Sequence, residues 1–218
     1  MVKSVNGGPL SSAVGPRYVV IDVETSGLSP RRDRILQIAA VEVDHAGTIV
    51  SEWSTYVRPR FGRVGPTHVH GLTAASLRSA PLFRFVADDL AARLAGAVVV
   101  GHNVDFDWSF VRRSLRRVRV PIAPTSRLCT LELSRSLDPE RKNRHRLAEV
   151  CERYAVPLDN AHDALADARA TAQILPLLLA EARLDDASLP AHRAYRSPTD
   201  PGRVRKKRPW WKRRRSRS

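Results

Sequence analysis

The stretch YVVIDVETSG, residues 18–27, places two carboxylates in a segment that is otherwise suited to burial. Its Val and Ile residues predict a buried β-strand over residues 18–24. Side chains alternate along a strand, so Asp22 and Glu24 are expected to point the same way. Two like charges on one face of a buried strand repel each other, and the fold must supply something that makes this arrangement tolerable.

The predicted elements follow an order that favours an α/β domain with a mixed sheet, three antiparallel strands followed by parallel ones, flanked by helices. The short DHAG connection between the second and third strands is typical of a hairpin. Pro81 suits the start of a helix and Gly96 its end. The predicted strands are 18–24, 35–44, 48–59 and 97–101, the predicted helices are 81–96, 105–118, 146–155 and 163–183, and residues 126–133 are predicted as a short strand or turn.

The chain divides into three predicted regions. Residues 1–16, rich in Gly, Ser and Pro, are expected to be disordered. Residues 17–184 form the folded domain, and residues 185–218 are expected to be a disordered, polybasic tail.

Two further acidic clusters follow the first one along the chain. Asp105 and Asp107 lie where a predicted buried strand gives way to a helix, and HDALAD places His162 and Asp167 at the start of the last long helix. Ligands collect at such strand ends in α/β sheets. The motifs hold no Lys or Arg opposite these carboxylates, which indicates a hard divalent cation such as Mg²⁺ or Mn²⁺.

Helix geometry restricts how the last cluster can converge. His162 and Asp167 are five residues apart, about 140° around a helix, so they share no face if both are well inside it. They converge if His162 precedes the helix and Asp167 lies near its first turn. Asp163 or Asn160 is then the predicted N-cap.

DVETSG, HNVDFD and HDALAD, in this order and at these intervals, resemble the three motifs of the DEDDh 3′–5′ exonuclease family. That family includes the proofreading epsilon subunit of bacterial DNA polymerase III, oligoribonuclease and ribonuclease T. The resemblance covers roughly residues 17–183. It implies an RNase H-like fold and hydrolysis of nucleic acid from the 3′ end with two divalent metal ions, Mg²⁺ or Mn²⁺, releasing nucleoside 5′-monophosphates.

The resemblance also implies roles for individual residues. Asp22 would bridge the two ions, with Glu24 and Asp167 on the first and Asp107 on the second. His162 would act as the general base, a role that suits histidine at neutral pH. In the second motif the metal-binding aspartate follows the phenylalanine, so Asp107 is preferred to Asp105, which is expected to be a capping or surface residue.

A second set of residues is assigned to the substrate. Thr25, Gly27 and Leu28 are expected to shape the pocket for the terminal nucleotide, with Gly27 allowing close backbone approach. His70, in THVHGLT, resembles a family loop residue that touches that nucleotide. Phe106 has two equal interpretations: it stacks on a base, or it packs in the core with Phe110 at i, i+4 spacing.

The net charge of +15 is concentrated at one end of the chain. Ten of the 37 Lys and Arg lie in residues 201–218, which leaves 27 against 22 acidic residues, or +5, for residues 1–200. The tail is interpreted as a nucleic-acid tether in preference to a solvated run, with Trp210 and Trp211 available for stacking. No apolar h-region and no apolar run of about 18 residues occurs, so the expectation is a cytoplasmic or nucleoid-associated protein with no membrane partner.

The sequence therefore predicts a metal-dependent 3′–5′ exonuclease that acts on single-stranded nucleic acid, with DNA preferred. An oligoribonuclease-like enzyme that trims RNA and a non-catalytic nucleic-acid-binding module on the same fold stay open as alternatives. A DNA polymerase is a further candidate partner, although no residue identifies one.

Overall fold

The computed structural model describes residues 18–60, 62–122, 126–160 and 162–199, and its centre is a six-stranded sheet. The strands lie in the order β3-β2-β1-β4-β5-β6. β1 pairs antiparallel with β2 and β2 with β3, while β4 and β5 run parallel to β1, so the predicted mixed sheet is confirmed. Their bounds are β1 Tyr18–Thr25, β2 Ile35–Val43, β3 Ile49–Tyr56, β4 Val98–Gly101, β5 Arg127–Cys129 and β6 Tyr195–Arg196.

Helices cover both faces of this sheet. They are α1 Thr67–His70, α2 Ala87–Leu94, α3 Val104–Val118, α4 Thr130–Ser136, α5 Leu147–Arg153 and α6 Ala164–Glu181, with 3₁₀ turns at Phe83–Phe85 and Leu189–Ala191. The helix predicted over 81–96 is shorter than expected, because a 3₁₀ turn precedes it. The segment predicted as a strand or turn over 126–133 divides into β5 and the start of α4. No helix in the described ranges is long and apolar enough to span a bilayer.

Alternation along β1 decides which side chains meet which helices. Tyr18 and Val20 pack in the cluster that contains α6, whereas Val19, Ile21 and Val23 pack in the cluster that contains α2 and α3. Burial on both faces explains why the strand is apolar almost throughout. Asp22 and Glu24 continue the first of these two sets, so they lie on the α6 face of the sheet.

Residues 185–199 differ from the prediction of a disordered tail from residue 185. Leu189 and Ala194 are buried against the domain, and Tyr195–Arg196 pairs antiparallel with β5. The segment is polar, but two apolar anchors and an otherwise unpaired edge of β5 are enough to hold it. The predictions for residues 1–16 and for the polybasic run beyond Thr199 lie outside the described residues, and the boundaries of the domain stay predictions.

Candidate active site

β1 brings the first two carboxylates to the end of the sheet where β4 and β5 also terminate. Asp22 lies opposite Ala39 of β2 and Glu24 lies opposite Gln37. Glu24 is 9% exposed, and the face that it shares with Asp22 is the one that α6 covers. The start of α6 therefore lies over these two side chains.

The start of α6 is held by a hydrogen-bonded cap. The Asp163 carboxylate accepts from the backbone N–H groups of Leu165 and Ala166, both at 3.1 Å, so the N-cap is Asp163, one of the two residues that the sequence offered. His162 lies just before the helix with a left-handed φ of 71°, and its backbone N–H lies 3.3 Å from Asp167 Oδ2. The predicted convergence of His162 and Asp167 is confirmed, because one residue precedes the helix and the other lies in its first turn.

Asp107 reaches the same place from the first turn of α3. Its side chain is buried, and Oδ1 accepts a hydrogen bond of 3.2 Å from the backbone N–H of Val23, between the two carboxylates of β1. Asp105 differs: it is half-buried, and its Oδ1 lies 3.7 Å from Arg127 Nε. The preference for Asp107 over Asp105 agrees with this geometry.

Burial and mutual repulsion raise the pKa of all four carboxyl groups that the sequence assigned to metal. Burial is the largest cause for each, and it raises the pKa of Glu24 to about 8 and that of Asp107 to about 8. The pKa of Asp22 is raised well above its usual range by burial and then by the charges of Asp107, Asp167 and Glu24. The pKa of Asp167 is also raised, although the His162 N–H opposes the shift.

Divalent metal ions fit this donor set. Glu24, His162 and Asp167 each offer a ligand atom, and these atoms all lie within 4.8 Å of one another. Asp167 Oδ1 is buried without a hydrogen-bond partner, which is costly unless a ligand completes it. Within the described ranges no Lys or Arg forms an ion pair with any of the four carboxylates. A cation would satisfy the unpartnered oxygen and remove the repulsion.

The structure adds Gln37, a residue that the sequence analysis missed. Gln37 is buried on β2 directly beside Glu24, and its Nε2 donates to Asp163 Oδ2 at 2.8 Å while its Oε1 accepts from Ala164 N at 3.3 Å. It therefore ties the start of α6 to the sheet. The available signal was a single amide side chain in the apolar run ILQIAA.

The turn after β1 presents an apolar side chain to solvent. Thr25 Oγ1 donates to the Gly27 carbonyl at 2.7 Å, and Leu28 is 71% exposed. A Cβ at Gly27 would lie 2.5 Å from the carboxylate of Asp33, so the close approach that Gly27 permits in this structure is to Asp33. The substrate roles of Thr25, Gly27 and Leu28 stay predictions.

His70 occupies a structural position in the loop around α1. The backbone N–H of Leu72 donates to His70 Nδ1 at 3.0 Å, so the ring carries its proton on Nε2, which donates to the Val64 carbonyl at 3.0 Å. Both ring nitrogens thus shape the loop, and a direct contact with a nucleotide through either would break one of these bonds. A Cβ at Gly65 would lie 2.2 Å from the Ser26 carbonyl, which places this loop against the end of β1.

Phe106 packs against Phe110 with ring centroids 5.1 Å apart and a tilted geometry. Phe110 is fully buried, and Phe106 is half-buried at the edge of the same cluster. The contact with Phe110 supports the interpretation of Phe106 as a core residue. Stacking of Phe106 on a base stays a prediction.

Comparison with known proteins identifies the family. The model of a family described as exonuclease, of the RNase T type, matches residues 19–175, which include all three acidic motifs. The chain belongs to this exonuclease family. The predicted resemblance to DEDDh 3′–5′ exonucleases is thereby confirmed.

The curated relatives of this exonuclease domain are much longer proteins. It is 37% identical over 174 residues to a PolC-type DNA polymerase III of Lacticaseibacillus paracasei, a match that covers 76% of this chain and 11% of that protein. A PolC-type DNA polymerase III of Caldanaerobacter subterraneus subsp. tengcongensis is 34% identical over 173 residues, covering 79% of this chain and 12% of its own. The chain thus spans about a tenth of the length of these relatives.

Solved structures with the same fold confirm the RNase H-like fold class. E. coli Exonuclease I in complex with a dT13 oligonucleotide superposes with a TM-score of 0.69 at 22% identity, covering 78% of this chain and 42% of that one. Exonuclease X in complex with 5′ overhanging duplex DNA gives a TM-score of 0.60 at 26% identity, covering 78% of this chain and 95% of that one.

Proposed function

We propose that this protein is a divalent-metal-dependent 3′–5′ exonuclease that removes nucleoside 5′-monophosphates from single-stranded nucleic acid, with DNA as the preferred substrate. The observation that carries the proposal is the convergence of four carboxyl groups from β1, α3 and α6, two buried (Glu24 and Asp107) and two half-buried, with raised pKa values and one unpartnered oxygen. A constellation that is this costly in the folded protein is typical of a site that binds a ligand.

The residues that would hold the divalent ions are the four carboxylates Asp22, Glu24, Asp107 and Asp167. Bound ions would activate water and stabilise the charge that develops on the departing oxygen. Asp22 is the natural central ligand, because the charges of Asp107, Asp167 and Glu24 all act on it. The Val23 N–H fixes Asp107 Oδ1, which leaves its second oxygen for a ligand.

His162 would accept the proton of the attacking water. His162 is exposed just before α6, so water can reach its ring. A ring nitrogen of His162 also lies within 4.8 Å of ligand atoms of Glu24 and Asp167, a distance that suits a metal ligand as well. Replacement of His162 by Ala separates the two roles: a general base affects the rate alone, whereas a ligand also affects metal affinity.

The preference for DNA is supported by the kinds of relatives that the chain resembles. Its curated relatives are PolC-type DNA polymerases, and two structural neighbours are complexes with DNA. A DNA polymerase is accordingly the proposed partner, with the present chain supplying the exonuclease domain.

The test is release of nucleotide from 3′-labelled and 5′-labelled oligonucleotides of single-stranded DNA, duplex DNA and short RNA. We expect Mg²⁺- or Mn²⁺-dependent release from the 3′ end, fastest on single-stranded DNA and abolished by chelator. Asp22→Ala should abolish cleavage with the fold intact.

A matched pair of variants controls for loss of charge on α3. Asp107→Asn should be inactive, whereas Asp105→Asn, which changes a neighbouring half-buried aspartate, should stay active. Faster release from short RNA would favour the oligoribonuclease-like alternative. Binding without cleavage by the wild-type protein would favour the non-catalytic module and reject the proposal.

A further inference from the structure

Six exposed or half-exposed arginines lie on two segments that follow the carboxylates of the candidate active site. The β1–β2 loop and the outer face of α3 supply them, and we name them the arginine ridge: Arg31, Arg32, Arg34, Arg113, Arg116 and Arg117. Arg117 Nη2 joins the two segments by donating to the backbone carbonyls of Pro30 and Arg31, both at 2.8 Å.

The charge of the ridge is not compensated within the part of the chain that the structure describes. None of the six guanidinium groups forms an ion pair with a carboxylate there. Asp33, the acidic residue of the loop, accepts the Ser29 N–H at 2.8 Å and lies against Gly27. The pKa of Arg117 is lowered by burial and then by the charges of Arg34 and Arg113. Cations that crowd one another in this way fit an anionic partner.

Each of the two segments that carry the ridge follows a carboxylate of the candidate site: the β1–β2 loop follows Glu24, and the ridge residues of α3 follow Asp107. Arg34 N donates to Ser26 Oγ at 3.0 Å, and Ser26 N donates to the Arg34 carbonyl at 2.9 Å, only two residues after Glu24. On α3, Arg113 and Arg117 lie six and ten residues after Asp107. At 1.5 Å per residue they are about 9 and 15 Å further along the helix axis.

This spacing corresponds to a short length of nucleic acid. A strand rises about 3.4 Å per nucleotide, so about 15 Å holds roughly four stacked nucleotides. Arginine is well suited to phosphate, because its planar guanidinium can donate two parallel hydrogen bonds to it.

We propose that the arginine ridge binds the phosphate backbone of the substrate strand over the first few nucleotides upstream of the 3′ end held at the carboxylates. The proposal rests on the proposed function, because it takes the 3′ end of the same strand to lie at Asp22 and Glu24. It predicts that the enzyme distinguishes strands by length, since a dinucleotide is too short to reach Arg113 and Arg116.

The experiment compares three variants of the full chain. Arg113→Ala with Arg116→Ala removes two ridge charges whose side chains form no hydrogen bond with any residue in the described ranges. Arg113→Lys with Arg116→Lys keeps the charges in place. Arg183→Ala, beyond the far end of α6 and about 27 Å from its start, tests the effect of net charge alone. Thermal unfolding of each variant checks that the fold is intact.

Binding to a single strand of about 12 nucleotides is measured by fluorescence anisotropy in chelator, between about 50 and 200 mM salt. Two lost phosphate contacts should reduce the salt slope by about 1.4, so that the wild-type protein loses roughly sevenfold more affinity over this range than the double Ala variant. The double Lys variant and Arg183→Ala should keep the wild-type slope. Cleavage of a dinucleotide should proceed at the wild-type rate in all three.

The outcomes separate this proposal from the proposed function. If the wild-type protein cleaves neither the 12-nucleotide strand nor the dinucleotide, the proposed function is rejected, and the path assigned to the strand is rejected with it. A wild-type protein that cleaves both, together with a double Ala variant that binds the long strand with an unchanged slope, rejects the ridge alone. A loss of slope per removed charge in Arg183→Ala equal to that in the double Ala variant also rejects it, because general charge would then account for the effect.

Discussion

Replacement of Glu24 by Gln should stabilise the metal-free protein against unfolding and should reduce the stabilisation that bound metal provides. Glu24 is 9% exposed and lies with Asp167 and Asp163 on the face beneath α6. Gln has nearly the same size but no charge. In the metal-free protein the substitution relieves repulsion, whereas in the metal-bound protein it removes a ligand.

The magnitude follows from the pKa of Glu24, which burial and neighbouring carboxylates raise from 4.5 to about 8. A carboxyl group whose pKa is raised on folding binds more protons in the folded state, so stability is lost as pH rises from the unfolded pKa towards the folded one. At 1.36 kcal/mol per pH unit, the raised pKa of Glu24 lowers the free energy of unfolding at pH 7 by about 3 kcal/mol. Because the cluster opens to water on one side, we expect about 1–2 kcal/mol of stabilisation from Glu24→Gln.

The assay is thermal unfolding at pH 7 in chelator and again in Mn²⁺. For a domain of this size, about 1–2 kcal/mol raises Tm by roughly 2–8 °C, so Glu24→Gln should melt at a higher temperature than the wild-type protein in chelator. Mn²⁺ should raise the Tm of the wild-type protein more than that of the variant. In chelator, the wild-type Tm should also fall from pH 5 to pH 8. A lower Tm for Glu24→Gln in chelator, or an equal response to Mn²⁺, would refute the reasoning.

Three further predictions concern other parts of the molecule. Gln37→Ala should weaken Mn²⁺ binding in calorimetric titration, because α6 loses its tie to the sheet; unchanged affinity would show that Asp163 holds the helix alone. His162→Ala should lower the cleavage rate severely while sparing metal affinity, and a loss of affinity in the same titration would make His162 a ligand. Deletion of residues 201–218 should weaken oligonucleotide binding at low salt and flatten its salt dependence without changing turnover at saturating substrate; unchanged low-salt binding would reject the tether.

Local geometry determines much of the arrangement that the sequence predicted for the candidate site. Alternation along one strand is enough to place Asp22 and Glu24 on one face, and helix periodicity requires His162 to precede α6 if it is to meet Asp167. These relations involve residues at most five positions apart. Their accuracy does not depend on knowing the rest of the fold.

The parts that sequence missed depend on contacts between distant segments. Gln37 acts on Asp163 across 126 residues, and β6 forms only because β5, far earlier in the chain, has a free edge. α4 follows β5 with no apolar periodicity long enough to distinguish a helix from a turn. Pairing, and not propensity, decides such short elements.

The backbone alone cannot compensate for the charge that the site gathers. Asp163 caps α6 and Asp167 lies in its first turn, where the positive end of the helix dipole favours an anion by about 0.3–1 kcal/mol each. The Val23 N–H lowers the pKa of Asp107, but burial still raises it to about 8. Each pH unit by which a carboxyl pKa is raised costs about 1.4 kcal/mol of folding free energy. The sum over several carboxyl groups exceeds the stabilisation that one helix end and a few N–H groups provide. A divalent cation is the ligand that supplies the difference, which is why the same carboxylates that destabilise the metal-free domain are the ones we assign to catalysis.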